Sequence, residues 1–190
     1  MIGREMRIAV VCLILGLGCG VTWAADEAAE PEYDPTSSYT KMDVRGWTVF
    51  VNQRLLEGDE TLSDRTLELL GVKLYDITRM VPGPALAKLR QVPIWVELAD
   101  PRHPCMCYHP SRKWLTEHAF NPEKAGSVEI ANAAAFLRWT REQPSMVLHE
   151  LAHGYHHRFM DGGYGNAEIA ATYRQAMEGK LYDSVLHWAG

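Results

Sequence analysis

The chain has 190 residues, 47% of them hydrophobic and 23% charged, with a formal net charge of −5. That length sustains one ordinary hydrophobic core, and the balance excludes collagen-like, coiled-coil and wholly disordered chains. The acidic excess, without a dense basic patch, speaks against nucleic acid as a partner.

Arg4 and Arg7 flank the start of an uncharged apolar run, residues 8–20, and Thr22-Trp23-Ala24 closes on a small residue. This is the pattern of a signal peptide, 1–24, cleaved after Ala24, and it predicts a secreted or periplasmic, cell-envelope protein. A helix of that run would rise only about 20 Å, short of a bilayer core of about 30 Å, so no stable membrane insertion is expected. Lipid anchoring at Cys19 is disfavoured, because Gly16 stands where such signals carry a bulky aliphatic residue. Residues 25–43 are rich in acids, with Pro31, Pro35 and one lysine, and read as a flexible acidic linker. The folded domain is then 44–190.

Within it, VRGWTVFVN (44–52) reads as a strand apolar on both faces. Residues 52–59 read as a connection. Thr61 and Asp64 offer a cap for a helix carrying Leu67, Leu70, Leu74, Ile77 and Val81, which stops at Pro82-Gly83-Pro84. A short helical turn follows at 85–90, then a strand in QVPIWVEL, with Pro93 marking its start or an edge. Residues 100–126 are a proline-rich, loop-rich insert. VEIANA (128–133) predicts a short strand and 134–141 a helix. Pro144 suits the first turn of a further helix running to Met160, stopped by Asp161-Gly162-Gly163, and 166–187 is helical again. Strands and helices mix without regular alternation, which predicts an α+β fold.

The chemistry is concentrated in His149-Glu150-Leu151-Ala152-His153. Residues i and i+4 share one face of a helix, so His149 and His153 can ligate one Zn2+. Glu150 lies off that line yet within reach of a metal-bound water, the position of a general base. Leu148, Leu151, Ala152, Tyr155 and Phe159 form an apolar arc and the two histidines another, with His156 and Met160 beside them. A surface helix with solvated histidines is the bland alternative. The extended metzincin pattern needs Gly at position 156 and His at 159; His156 and Phe159 exclude it. His156 and His157 are therefore left outside the metal site.

VLHELAHGYHHRF, with VEIANA upstream, resembles the catalytic segment of gluzincin-type zinc metallopeptidases. The likeness is to exported bacterial metallopeptidases and, more distantly, to the anthrax lethal factor protease domain. It runs from Val44 to the end through VRGWTVFVN, VPIWVEL and HPCMCYHPS, and HExxH is its chemically specific part. The resemblance implies a zincin-like domain with a small mixed sheet. It also implies peptide or protein substrates that pair with an edge strand, here 128–133, and a third ligand on a Glu-bearing helix beyond Gly190. On that basis the domain is expected to be C-terminally incomplete. Glu168, Glu178, Asp183 and His187 are the late donors within the chain. Neither glutamate has the Asp four residues on that the thermolysin pattern requires, since Thr172 and Tyr182 stand there; Glu168 is kept as a candidate ligand. An oxyanion-stabilising group is expected among Tyr164, Tyr173 and Tyr182.

In RHPCMCYHP an extended chain would point His103, Cys105, Cys107 and His109 to one side, a possible zinc or copper site. The neighbouring prolines argue against a regular strand, and a structural or redox-modified loop, or a strained disulfide, is preferred there. The reading that results is a secreted zinc-dependent peptidase with Glu150 as base. A catalytically silent binding module on a zincin scaffold, and a zinc-carrying envelope protein, are its rivals.

Overall fold

The computed structural model describes residues 33–103 and 106–184. The segment expected to be a signal peptide, residues 1–24 with Cys19, lies outside the described residues, as do Cys105, His187 and Gly190. Arg45 and Gly46, with φ of 57° and 89°, turn β1 (Tyr39–Val44) straight back into β2 (Trp47–Asn52). Two consecutive residues in the left-handed region make the hairpin turn whose twist matches that of the strands it joins. Asp43 Oδ1 accepts the Gly46 N–H at 3.1 Å. Regular structure therefore starts earlier than the expected boundary at Val44, inside the 25–43 segment. The composition misled because β1 is an edge strand, and edges carry exposed charges such as Lys41 and Asp43.

Asn52 ends β2 and caps α1 (Gln53–Gly58), where the sequence suggested only a connection. Asp59, rather than Thr61, caps the long α2 (Glu60–Met80). Then come α3 (Gly83–Leu89), β3 (Ile94–Val96), β4 (Met106–Tyr108), α4 (Arg112–Glu117), β5 (Val128–Ile130), α5 (Ala133–Glu142), α6 (Met146–Phe159) and α7 (Ala167–Glu178). The fold is α+β: seven helices and a five-stranded mixed sheet of order β1-β2-β3-β5-β4 among the described residues. β2, β3 and β5 run parallel, while β1 and β4 are antiparallel outer strands. No helix among the described residues is long and apolar enough to cross a membrane.

One expectation is corrected here. The 128–133 segment is not an edge: β5 lies between β3 and β4, and β4 is the edge on that side of the sheet. All three β5 residues are buried, as an interior strand requires. The true edge strand was hidden in the proline-rich insert, where Met106–Tyr108 forms a strand just long enough to fit between Pro104 and Pro110.

Alternation gives the sheet two different faces. Val49, Val51, Ile94, Val96, Val128 and Ile130 are fully buried in the core with Leu70, Leu74 and Ile77 of α2, Phe136 of α5 and Val147 and Leu151 of α6. The other face carries Phe50, Asn52, Trp95, Cys107 and Glu129, with Glu97 just past β3. Phe50 stacks on Trp95 at 4.4 Å, and Tyr39 meets Trp95 edge-on at 4.8 Å. Lys124, from the insert, is buried there between two carboxylates: it donates to Glu97 Oε1 at 2.6 Å and also to Glu129 Oε1. Tyr39 O–H and Asn52 Nδ2 donate to the same Glu97 carboxylate, at 2.5 and 2.7 Å.

Removing one member of a buried ion network leaves its partners charged and dry. Lys124→Met should therefore cost about 3–5 kcal/mol of stability, read as a lower urea midpoint with the m-value unchanged. Helix α6 is seated by a missing side chain: a Cβ on Gly154 would lie 3.0 Å from both methyls of Val92 and 3.1 Å from the Tyr108 ring. Gly154→Val should lower stability by about 1–3 kcal/mol through overpacking, measured in the same way.

Candidate metal centre

Helix α6 forms where the sequence placed it, and buries Met146, Val147, Leu151 and Gly154. The predicted apolar arc is shifted, because Ala152 is exposed while Val147 and Gly154 carry the buried line. His149 and His153 stand one turn apart on the open side. Their Nε2 atoms converge to 3.1 Å, with the rings at 83°. The contact is a hydrogen bond between the rings, and since two ligand nitrogens on one tetrahedral zinc are about 3.3 Å apart, the pair is geometrically able to share a cation.

Glu150 completes a group whose donor atoms lie within 4.8 Å of one another, its Oε1 being 4.0 Å from His149 Nε2. Its side chain is only 14% exposed against 67% for His149. Burial pushes the Glu150 carboxyl above the ordinary carboxylate range, held back by His149, by the nearby Tyr108 backbone amide and by His109. The Tyr108 amide is available because the neighbouring His109 amide turns inward to Ser127 O, and amides alternate along a strand. Glu150 thus lies at the free edge of β4. Burial and the neighbouring His149 and His156 lower the basicity of His153, so its ring favours the neutral form that binds metals.

Of the expected tyrosines, the structure brings Tyr164 to this group. Its hydroxyl reaches 3.5 Å from the His153 carbonyl and its ring lies 5.0 and 5.1 Å from those of His156 and His157. Burial and the Glu150 charge raise its pKa. Tyr173 and Tyr182 are exposed and enter no such contact among the described residues. His157 instead bonds the Tyr108 hydroxyl at 2.8 Å, tying the helix to the edge strand.

Glu168 is not brought to the histidines. It sits exposed in the first turn of α7, which Asn166 caps through the Ile169 N–H. Glu178 and Asp183 are likewise exposed and outside the group.

A second cluster was only half legible. His103, Cys107, His109 and Glu129 also hold their donor atoms within 4.8 Å of one another. His109 Nε2 is 2.5 Å from Glu129 Oε2 and 3.6 Å from Cys107 Sγ. The loop sequence named the two histidines and Cys107, but not Glu129, which comes from the adjacent strand where Cys107 pairs with it in register. A lone acid within the apolar VEIANA was the available signal. Burial, then Glu129 and Glu150, push the Cys107 thiol up to about 12.

No protein-family model, curated protein or solved structure matches the chain. The site is thus assigned from its own geometry. Because Glu168 lies apart from His149 and His153, Glu168→Ala should leave zinc affinity at the α6 pair unchanged in chelator competition. A large loss would make it a ligand.

Proposed function

We propose that the chain is a zinc-dependent peptidase of zincin type, with His149 and His153 as metal ligands and Glu150 as general base. The observation that carries this reading is the convergence of the two Nε2 atoms at 3.1 Å, beside a largely buried carboxylate at a free strand edge. Zinc bound there would supply Lewis-acid polarisation of a scissile carbonyl and a more acidic water.

The chain's own residues account for the remaining tasks. Edge strand β4 presents outward backbone groups at Met106 and Tyr108 to which an extended peptide can add as a further strand. Glu150, its carboxyl raised by burial, takes a proton from the attacking water and returns it to the leaving amine. Tyr164, whose hydroxyl reaches the His153 carbonyl, is assigned to steady developing negative charge. The apolar run at residues 8–20, read as a signal peptide, would send the protein to act outside the cytoplasm.

Loaded with zinc, a chain that also carries the third ligand should cleave unfolded casein or a quenched peptide library. Glu150→Gln should keep the metal and lose about 10²–10⁴ in rate, whereas His149→Ala and His153→Ala should lose the metal itself. Full activity in Glu150→Gln would exclude the mechanism. Tight zinc binding with no hydrolysis of any peptide would favour the silent binding module instead.

A further inference from the structure

We propose that His103, Cys107, His109 and Glu129 form a second metal site, structural in character and suited to zinc, on the face of β4 opposite the α6 histidines. It stands independently of the peptidase reading.

The first observation is the way the donors converge. A Cys–His–Glu catalytic relay would use both ring nitrogens of the histidine, one toward each partner. Here Cys107 Sγ and Glu129 Oε2 both approach the same nitrogen, Nε2 of His109. One nitrogen cannot relay a proton between two groups on its own side, but three donors around one point are what a cation needs. The 3.6 Å between Sγ and Nε2 matches the edge of a tetrahedral zinc site, about 3.5 Å for a sulfur and a nitrogen ligand, while the 2.5 Å between His109 Nε2 and Glu129 Oε2 is a hydrogen bond that coordination would replace, opening it to about 3.3 Å. The fourth residue, His103, has a buried Nε2 with no hydrogen-bond partner among the described residues, an expense that coordination through this ring nitrogen would remove.

The second observation is charge. Lys124 is shared between the Glu97 and Glu129 carboxylates, all three buried, so one cation faces two anions. A dication beside Glu129 offsets the surplus and supports a Cys107 thiolate. The donor set of two imidazoles, one thiolate and one carboxylate suits zinc. A cleft of about 420 Å³ bounded by His103, Cys107, His109 and Trp114 gives an ion a way in. Four protein donors leave no open position, hence a structural role: the ion would fix β4, whose Tyr108 hydroxyl bonds His157 of α6.

The test uses the reduced full chain carrying His149→Ala and His153→Ala, so that the α6 pair is silent, titrated with Co(II) alone. One equivalent should bind and give the intense near-ultraviolet absorption of a thiolate–cobalt bond, a signature no histidine–carboxylate site can produce. Adding Cys107→Ser should abolish that absorption. His103→Ala, a half-buried loop residue whose loss leaves the Lys124 pairs intact, should weaken cobalt binding by at least about 10–100-fold and serves if Cys107→Ser fails to fold. No thiolate absorption in the folded parent, absorption that survives Cys107→Ser, or unchanged affinity in His103→Ala would each overturn the site.

Discussion

The structure depends on the buried ammonium of Lys124. One face of the sheet is apolar and covered by helices in the usual way. The other carries Glu97 and Glu129, and two buried carboxylates within one polar cluster would repel if left unmatched. Lys124 matches them by bonding both, and Tyr39, Asn52 and His109 take up the remaining oxygen valences. The desolvation of all these groups is large, and burial by itself would push Glu129 up and Lys124 down. Their mutual attraction and hydrogen bonds win, leaving Glu129 below and Lys124 above their usual ranges. Such a network favours one arrangement of the insert over other compact ones, because a shifted insert would strand charge in the interior.

That network explains how a loop-rich segment can replace a helical layer. Apolar packing alone would leave the backbone of residues 100–126 short of partners. Here caps and turns supply them: Ser111 caps α4, Asn121 accepts from the Glu123 amide, and Arg102 bonds the carbonyls of His118 and Ala119 while its guanidinium lies 3.6 Å from the Phe120 ring. The same segment delivers β4 to the sheet edge. The histidine pair, the base and the second cluster all take their positions from that strand.

What the sequence revealed followed from local periodicity. HExxH, its helix and the end of that helix at Asp161-Gly162 rest on i, i+4 spacing and glycine chemistry, which need no knowledge of the rest of the chain. Helices α2, α3, α5 and α7 were legible for the same reason. The errors came from pairing. Nothing local marks Tyr39–Val44 as a strand until Trp47–Asn52 is laid against it. A three-residue strand such as Met106–Tyr108 has too few residues to show alternation. Glu129 became a cluster member through its register opposite Cys107, a relation between residues distant in the chain. The order β3-β5-β4, which moved the edge from VEIANA to MCY, is likewise a property of topology.

The brevity of β4 joins the two clusters through parity. Met106 and Tyr108 point with Ile130 and Val128 toward the helical core, while Cys107 points with Glu129 to the opposite side. Because alternate residues face opposite ways, a shift of one position exchanges the entire set. A single-residue deletion ahead of Met106, if the strand slid to compensate, would send the tyrosine into the charged layer and the thiol against Gly154. His157 would lose its phenol and His109 its sulfur neighbour at one stroke. The length of the loop before this strand is therefore as much a determinant of both clusters as the donors themselves.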